Sequence, residues 1–274
     1  MAAGLSPARA GAEGAPPAPP PAAPVFNRET VVDLARTVAA KPYAPPPGEL
    51  RDPFAGLSYE QFVGIKTKPG AAIWAGENKG FAIEPLHRGH IFTAAVDLYF
   101  VENGVATRLP YDQGRFDYGG LKTPEKLPDL SYSGFRVLHT GANGAEAELA
   151  IFQGASFYRA VAAGQNLGVT ARGLSIRTAD PRGEEFPFFR IFWIEKPALG
   201  DNTLVIHALL DAPSVAGAYR FTLRPAEATI VDTELTLFPR TNIDHYGLAG
   251  FAAMSLYTPL DRHRADELRP MVAA

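Results

Sequence analysis

Residues 186–238 read FPFFRIFWIEKPALGDNTLVIHALLDAPSVAGAYRFTLRPAEATIVDTELTLF, and the pattern in them indicates the fold class. Four runs rich in strand-forming residues, at 186–196, 204–211, 218–224 and 229–238, are separated by short loops, and apolar and polar side chains alternate most clearly at 218–224. Alternation with a period of two is typical of half-buried β-strands, and short loops favour antiparallel neighbours. The stretch therefore predicts a four-stranded meander.

The first of these strands is predicted to have two distinct faces, because successive side chains of a regular strand point to opposite sides. One face would carry Phe188, Arg190, Phe192 and Ile194, and the other would carry Phe189, Ile191, Trp193 and Glu195. Each face thus combines aromatic side chains with a charged one.

Two further pairs of alternating runs predict hairpins upstream of the meander. Residues 95–102 and 105–111 flank Asn103-Gly104, which is typical of a type I′ turn because both positions tolerate a positive φ. Residues 135–139 and 145–152 flank a second glycine-containing turn at 141–144. With no sustained helical pattern after residue 66, the sequence predicts an all-β protein, a large many-stranded β-sandwich.

The N-terminal part differs from the rest of the chain. Residues 1–25 are rich in alanine, glycine and proline, which predicts a disordered tail. Within it, Ala8-Arg9-Ala10 matches the small-x-small pattern of signal-peptidase sites, so the tail is alternatively a signal remnant. Residues 26–274 are predicted to form the folded domain, which opens with two short helices, one capped by Asn27 and one by Ser58.

Composition excludes several classes of function. The 274 residues contain 26 Lys and Arg against 29 Asp and Glu, a formal charge of -3, which argues against nucleic acid as a partner. There is no cysteine, so disulfides and thiolate metal sites are excluded. No apolar run is long enough to span a membrane. His87 and His90 would face opposite sides of a strand and have no evident third ligand, so no metal site is predicted. The sequence contains neither a P-loop nor a Gly-x-Gly-x-x-Gly motif, and no cofactor is predicted.

Aromatic and charged side chains interleave between residues 154 and 197, which favours a cleft that binds sugars. Pyranose rings stack on aromatic side chains, and their hydroxyls need planar donors and acceptors. The candidate residues are Tyr158, Arg159, Arg172, Glu184, Glu185, Trp193 and Glu195. Three alternatives stay open: Trp193 as a core residue, Arg172 and Glu195 as a structural ion pair, and Glu184-Glu185 as a solvated loop.

Seven short runs in this region resemble the periplasmic glucan biosynthesis protein G/D family. They are GASFYRA (154–160), AGQ (163–165), GVTARGL (168–174), GEEFP (183–187), FWIEKP (192–197), LLD (209–211) and GAYRF (217–221). Their order and gaps match the family, and a looser likeness extends from about residue 26 to 270. The resemblance adds Asp211 and Tyr219 to the candidate cleft residues.

The resemblance implies a protein exported to the periplasm that acts on osmoregulated glucans with a β-1,2-linked glucose backbone. It implies a sandwich similar to galactose mutarotase, with a long cleft in which some members hydrolyse or transglycosylate the glucan. In that cleft Trp193 and Tyr219 would stack on glucose. The alternative role is a non-catalytic scaffold for the inner-membrane glucan synthase.

One departure from the family concerns length, since its members are about twice as long as this chain. In the family, the cleft carboxylates come after the position of Ala274. The sequence is therefore expected to be the N-terminal part of the sandwich domain, incomplete at its C-terminus, with catalytic residues that cannot be assigned within it.

Overall fold

The structure is a computed structural model, and it describes residues 25–141, 144, 146–165, 169–251, 255–256 and 272–273. The tripeptide at 8–10 and the predicted tail up to residue 24 lie outside the described residues, as do positions 142 and 143 of the second predicted turn and position 145, where the next predicted strand begins. The helices are α1 (Arg28–Ala39) and α2 (Tyr59–Gly64), with a 3-10 turn at Gln113–Arg115. The strands are β1 (Lys66–Thr67), β2 (Phe81–Leu86), β3 (Asp97–Glu102), β4 (Val105–Arg108), β5 (Phe116–Asp117), β6 (Gly134–Thr140), β7 (Glu146–Gln153), β8 (Phe157–Ala160), β9 (Val169–Arg172), β10 (Leu174–Ile176), β11 (Phe188–Glu195), β12 (Leu204–Asp211), β13 (Val215–Arg224), β14 (Ile230–Pro239), β15 (Tyr246–Leu248), β16 (Ser255–Leu256) and β17 (Val272–Ala273).

Two sheets form the body of the protein and enclose the main core. A six-stranded sheet has the order β14-β13-β12-β11-β3-β4, and a five-stranded sheet has the order β2-β6-β7-β8-β9. Aromatic rings from the two sheets meet between them: Phe135 lies 5.0 Å from Phe192, and Phe152 lies 5.1 Å from Phe221, centroid to centroid. All four rings are buried. The all-β sandwich predicted from the sequence is confirmed.

The locally encoded pairings agree with the sequence. Strands β11, β12, β13 and β14 pair antiparallel in chain order, which confirms the meander. Strands β3 and β4 form a hairpin in which Asn103 and Gly104 have φ values of 52° and 76°, as a type I′ turn requires. Strands β6 and β7 form the second predicted hairpin.

The predicted faces of β11 are only partly correct, because a β-bulge lies between Phe189 and Ile191. The extra residue reverses the alternation on its N-terminal side. Phe189 therefore points into the main core together with Phe192, although the sequence pattern placed these two on opposite faces. Beyond the bulge, Ile191 and Trp193 share the other face as predicted.

Helix α1 covers the second face of the six-stranded sheet. Asn27 caps it: its side chain accepts a hydrogen bond from Thr30 N at 3.1 Å, as the sequence predicts for this position. Val31 and Ala35 on its buried side pack over the sheet and form a second, smaller core. In the described part of the chain, neither helix is long and apolar enough to cross a membrane.

Candidate functional site

The outer face of the five-stranded sheet, which points away from the main core, carries a row of mostly polar side chains. Cross-strand pairing places Glu84, Arg136, Ile151, Arg159 and Thr170 side by side on the five strands. Residues next to them on the strands point into the core, namely Ile83, Phe135, Val137, Ala150, Phe152, Tyr158 and Ala171, so this row faces outward. We refer to this surface as the outer face.

Ion pairs connect the charged residues of the row. Nη1 of Arg136 lies 2.8 Å from Oε2 of Glu84, and its Nε lies 2.8 Å from Oε2 of Glu148. The other carboxylate oxygen of Glu148 pairs with Arg159. Glu148 reaches the outer face because a bulge at Leu149 breaks the alternation in β7. The pairs fix the planes of two guanidinium groups while all four side chains remain partly exposed.

A second charged pair lies further along the same face. Arg172 forms an ion pair with Glu184, and the hydroxyl of Thr178 donates to the same carboxylate at 3.1 Å. The guanidinium of Arg172 lies 4.9 Å from the ring centroid of Phe157 and 5.4 Å from that of Phe186. Contacts of this kind hold a guanidinium in place through cation–π attraction. The outer face thus carries three arginines and three glutamates.

A hollow of about 400 Å³ lies beside the ion pairs that connect Glu84, Arg136 and Glu148. Its polar lining includes Lys66, Thr67, Glu84, Arg136 and Gln153, and α2 contributes Phe62 and Val63 to its wall. Donors, acceptors and apolar side chains are therefore combined in one concave surface, as is typical of small-molecule sites. We call it the polar hollow.

His87 lies in the wall of the polar hollow and is buried. Its Nδ1 lies 2.6 Å from the carbonyl oxygen of Arg88, so this nitrogen carries the proton, and Nε2 accepts from the hydroxyl of Tyr111 at 2.8 Å. Burial lowers the pKa of His87 to about 4, which keeps the ring neutral. His90 instead contacts the carbonyl of Leu57. Within the described residues no three His, Cys, Asp or Glu side chains come together as a metal site.

An apolar pocket of about 650 Å³ adjoins the polar hollow, and Gln153 lines both. Exposed side chains of Ile91 and Phe186 are part of its lining. Phe157 and Thr170 line it from the side of the outer face. The row of side chains on the outer face therefore lies between the polar hollow and this apolar pocket.

Of the nine candidate cleft residues, the structure places three together on the outer face. They are Arg159, Arg172 and Glu184. Glu184 is therefore not part of a freely solvated loop, and Arg172 pairs with Glu184 instead of Glu195. The other six candidates lie elsewhere in the molecule.

The stacking role expected of Trp193 and Tyr219 is contradicted by their burial. Trp193 is 6% exposed, and its indole stacks between the rings of Phe26 and Tyr99 with centroids 5.7 Å away on each side. Tyr219 is buried in the main core and donates its hydroxyl to the carbonyl of Gly173 at 3.0 Å. Neither ring presents a face on which a sugar could stack. The alternative left open for Trp193, a core residue, is the one observed.

The side chains of Tyr158 and Glu195 do not reach the outer face either. Tyr158 points into the main core, where it stacks on Phe152 at 5.5 Å, and burial raises the pKa of its hydroxyl. Glu195 lies on the far side of the six-stranded sheet, where its Oε1 is 2.7 Å from Nε2 of buried His207. These two residues therefore do not contribute to a cleft on the outer face.

Glu185 and Asp211 lie at one end of the sandwich, where Asp211 is buried and the side chain of Glu185 is 9% exposed. Glu185 accepts hydrogen bonds from the backbone N and the hydroxyl of Ser214 at 3.0 and 2.8 Å. Asp211 accepts from Arg190 at 3.2 Å and from Arg240 at 2.9 Å. The arrangement around Asp211 holds secondary structure elements together, which accounts for its burial.

Three residues of the outer face are missed by the sequence reasoning: Glu84, Arg136 and Glu148. Each is a charged residue with an apolar neighbour on both sides in its strand, and this local pattern is the signal that could have found them. Only the cross-strand pairing shows that the three lie on one face of the sheet.

The fold and this surface define a class: a β-sandwich protein with an open, charge-balanced sheet face between two cavities. That class fits what comparison with known families finds. The chain belongs to the family described as Periplasmic glucan biosynthesis protein, MdoG, whose profile matches residues 26–274. The resemblance predicted from the sequence is confirmed.

Several curated relatives carry the name Glucans biosynthesis protein G. One from Vibrio cholerae serotype O1 is 44% identical over 251 residues, which is 90% of this chain and 46% of the relative. Another from Shewanella sp. (strain MR-4) is 44% identical over 254 residues, with the same coverage. The chain thus spans about half the length of the curated relatives it matches.

Proposed function

We propose that this chain takes part in periplasmic glucan biosynthesis by binding the β-1,2-linked glucan backbone on the outer face. The observation that carries the proposal is the alternation of three arginines with three glutamates across an open sheet face, beside the polar hollow. Membership of the periplasmic glucan biosynthesis family supports the choice of ligand.

The charge balance of the outer face suits a neutral, polyhydroxylated ligand. Guanidinium groups donate and carboxylates accept, so adjacent groups can satisfy the hydroxyls of a sugar in both directions. A binding site for an anionic polymer would instead carry an excess of arginine and lysine. Phe186 offers a partly exposed ring beside Arg172 for contact with the apolar face of a pyranose.

We propose binding without catalysis, because the carboxylates of the outer face are all ion-paired. Each of Glu84, Glu148 and Glu184 is ion-paired with an arginine on the outer face. Glycoside hydrolysis uses a carboxyl group that gives its proton to the leaving oxygen and a second carboxylate opposite it. Paired carboxylates suit the orientation of hydroxyls, so we assign no catalytic group to this face.

Calorimetric titration with β-1,2-linked gluco-oligosaccharides tests the proposal. We expect saturable binding by the unaltered chain and weaker binding to β-1,3- and β-1,4-linked oligosaccharides of equal length. Arg159→Lys keeps the positive charge but removes the planar fork, so we expect an affinity loss of about tenfold, equivalent to about 1.4 kcal/mol.

Arg224→Ala is the matched control, because Arg224 forms an exposed ion pair with Asp232 on the other sheet. This variant should bind glucan as the unaltered chain does. If the unaltered chain binds no β-1,2-glucan at any length tested, the proposed function is wrong, and a scaffold for the membrane glucan synthase becomes the better hypothesis.

A further inference from the structure

A separate polar cavity lies at one end of the sandwich, beyond the outer face. It has a volume of about 370 Å³ and lies between the loop at 177–185, the β12–β13 turn and residues 241–244. Neighbouring residues show that it is distinct: Glu184 pairs with Arg172 on the outer face, whereas Glu185 lines this cavity. We call it the end pocket.

The floor of the end pocket is formed by a fixed carboxylate. The side chain of Glu185 is only 9% exposed, and Oε1 accepts two hydrogen bonds from Ser214. Its second oxygen, Oε2, is 3.7 Å from Nη2 of Arg177, which is too long for a strong hydrogen bond. Acceptor capacity therefore remains on a buried group whose position is already determined.

Arg177 is held beside this carboxylate at a conformational cost. Its φ is 55°, and that of Ala179 is 60°, in the left-handed region that side chains with a Cβ rarely adopt. Two backbone hydrogen bonds fix the loop, from Arg177 N to His245 O and from Glu185 N to the carbonyl of Ile176. A strained residue that the surrounding structure holds in place is characteristic of functional sites.

A third group makes the loop rigid. Asp180 accepts hydrogen bonds from the backbone N of Arg182 at 2.8 Å and from its guanidinium at 2.8 and 2.9 Å. The loop therefore closes on itself without support from a ligand. Preorganisation of this kind reduces the entropy that binding has to overcome.

The charges that line the end pocket determine the class of ligand. Arg177 and Arg182 are balanced by Glu185 and Asp244, and hydroxyl and amide groups of Ser214, Thr241 and Asn242 complete the polar lining. Ile176, Pro213 and Ile243 add an apolar patch. We propose that the end pocket is a second carbohydrate-binding site, which takes one neutral hexose unit: its hydroxyls bond to the planar groups and its C–H face packs on the apolar patch. Neither the balanced charge nor the volume favours a polyanion.

The site is tested with methyl β-D-glucopyranoside as the probe for a single unit and a β-1,2-linked gluco-oligosaccharide as the probe for a chain. Saturation-transfer NMR should show binding of the glucoside to the unaltered chain. Arg177→Asn removes the guanidinium but keeps a residue that tolerates a positive φ. We expect its affinity for the glucoside to fall about tenfold or more, since a charged hydrogen-bonding group is lost.

A second variant keeps the inference testable if Arg177→Asn does not fold. Asn242 is exposed, so Asn242→Ala should fold normally and still weaken glucoside binding. Asn202→Ala, an exposed asparagine outside the lining of the end pocket, is its matched control and should bind as the unaltered chain does. Unchanged glucoside affinity in both Arg177→Asn and Asn242→Ala overturns the inference.

The proposal for the outer face and the proposal for the end pocket can be overturned independently of each other. Arg159→Lys should weaken binding of the oligosaccharide and leave binding of the glucoside to the end pocket unchanged. If Arg159→Lys has no effect on either probe while Arg177→Asn weakens both, the outer-face proposal is wrong and the end pocket stands. If Arg159→Lys weakens both probes and Arg177→Asn neither, the end pocket is wrong and the outer face stands.

Discussion

The indole of Trp193 lies between two aromatic rings beneath α1, on the side of the sandwich opposite the outer face. We expect Trp193→Ala to lower the free energy of unfolding by about 3–5 kcal/mol, the usual cost of deleting a large buried aromatic side chain. Because the residue is remote from the outer face, the affinity of the folded protein for β-1,2-glucan should not change. Urea unfolding and calorimetric titration measure the two effects, and an affinity loss without a stability loss would restore the stacking role.

His87 gives the protein a defined pH dependence. Burial lowers its pKa from the usual 6.5 to about 4, so between these values the unfolded chain binds a proton that the folded protein does not. The stabilisation that results is fully present above pH 6.5 and is lost as the pH falls toward 4. It amounts to at most about 3 kcal/mol.

The variant His87→Gln cannot titrate and isolates this contribution. The free energy of unfolding of the unaltered chain should fall more steeply between pH 6.5 and 4 than that of the variant, measured by denaturant titration at each pH. Equal slopes in the two proteins would show that His87 titrates normally in the folded state.

At the scale of elements, the turns and strand pairings that depend on residues close together in the chain can be predicted from the sequence. The turn at Asn103-Gly104 follows from two residues that accept a positive φ, and the meander follows from alternation and short loops. The parallel pairing of β11 with β3 joins segments about ninety residues apart, and no local pattern encodes it. The bulge between Phe189 and Ile191 is likewise not visible in the sequence, because the apolar residues on both sides of Arg190 suit either face of the strand.

Arg240 connects α1 to the six-stranded sheet. Its guanidinium donates to the carbonyls of Val38 and Lys41 at 2.8 and 3.1 Å, at the C-terminal end of the helix, and to buried Asp211 at 2.9 Å. A cation is favourable there because the helix dipole is negative at that end. We expect Arg240→Ala to lower the free energy of unfolding by about 3 kcal/mol, since Asp211 keeps only one of its two arginine partners.

Hydrogen exchange shows which elements are destabilised in Arg240→Ala. The amides of α1 should lose more protection than those of β12 in Arg240→Ala, and Arg240→Lys should have an intermediate effect because lysine lacks the fork. Arg224→Ala, which removes an exposed ion pair, should cost less than about 1 kcal/mol. Equal protection of α1 in Arg240→Ala and the unaltered chain would contradict a role for Arg240 in holding the helix.

At the scale of the whole molecule, the candidate site shows the limit of reasoning from one strand at a time. Arg159, Arg172 and Glu184 are found because aromatic and charged residues interleave near them in sequence. Glu84 and Arg136 come from strands far earlier in the chain, and their membership depends on the register of the five-stranded sheet. A site assembled across strands is defined by pairing, and pairing is a property of the complete fold.

The two sheets share one core, so we expect them to unfold together. Phe192 of the six-stranded sheet contacts Phe135 and Phe152 of the five-stranded sheet at 5.0 and 5.6 Å between centroids. Phe192→Ala should lower the free energy of unfolding by about 3–5 kcal/mol, whereas Tyr59→Ala, at an exposed position, should change it by less than about 0.5 kcal/mol. In native-state hydrogen exchange, amides of β6 and β12 should lose the same free energy of protection in Phe192→Ala, because a single cooperative unit opens as a whole. A loss confined to β12 would mean that each sheet is stable without the other, and that the outer face is supported by the five-stranded sheet alone.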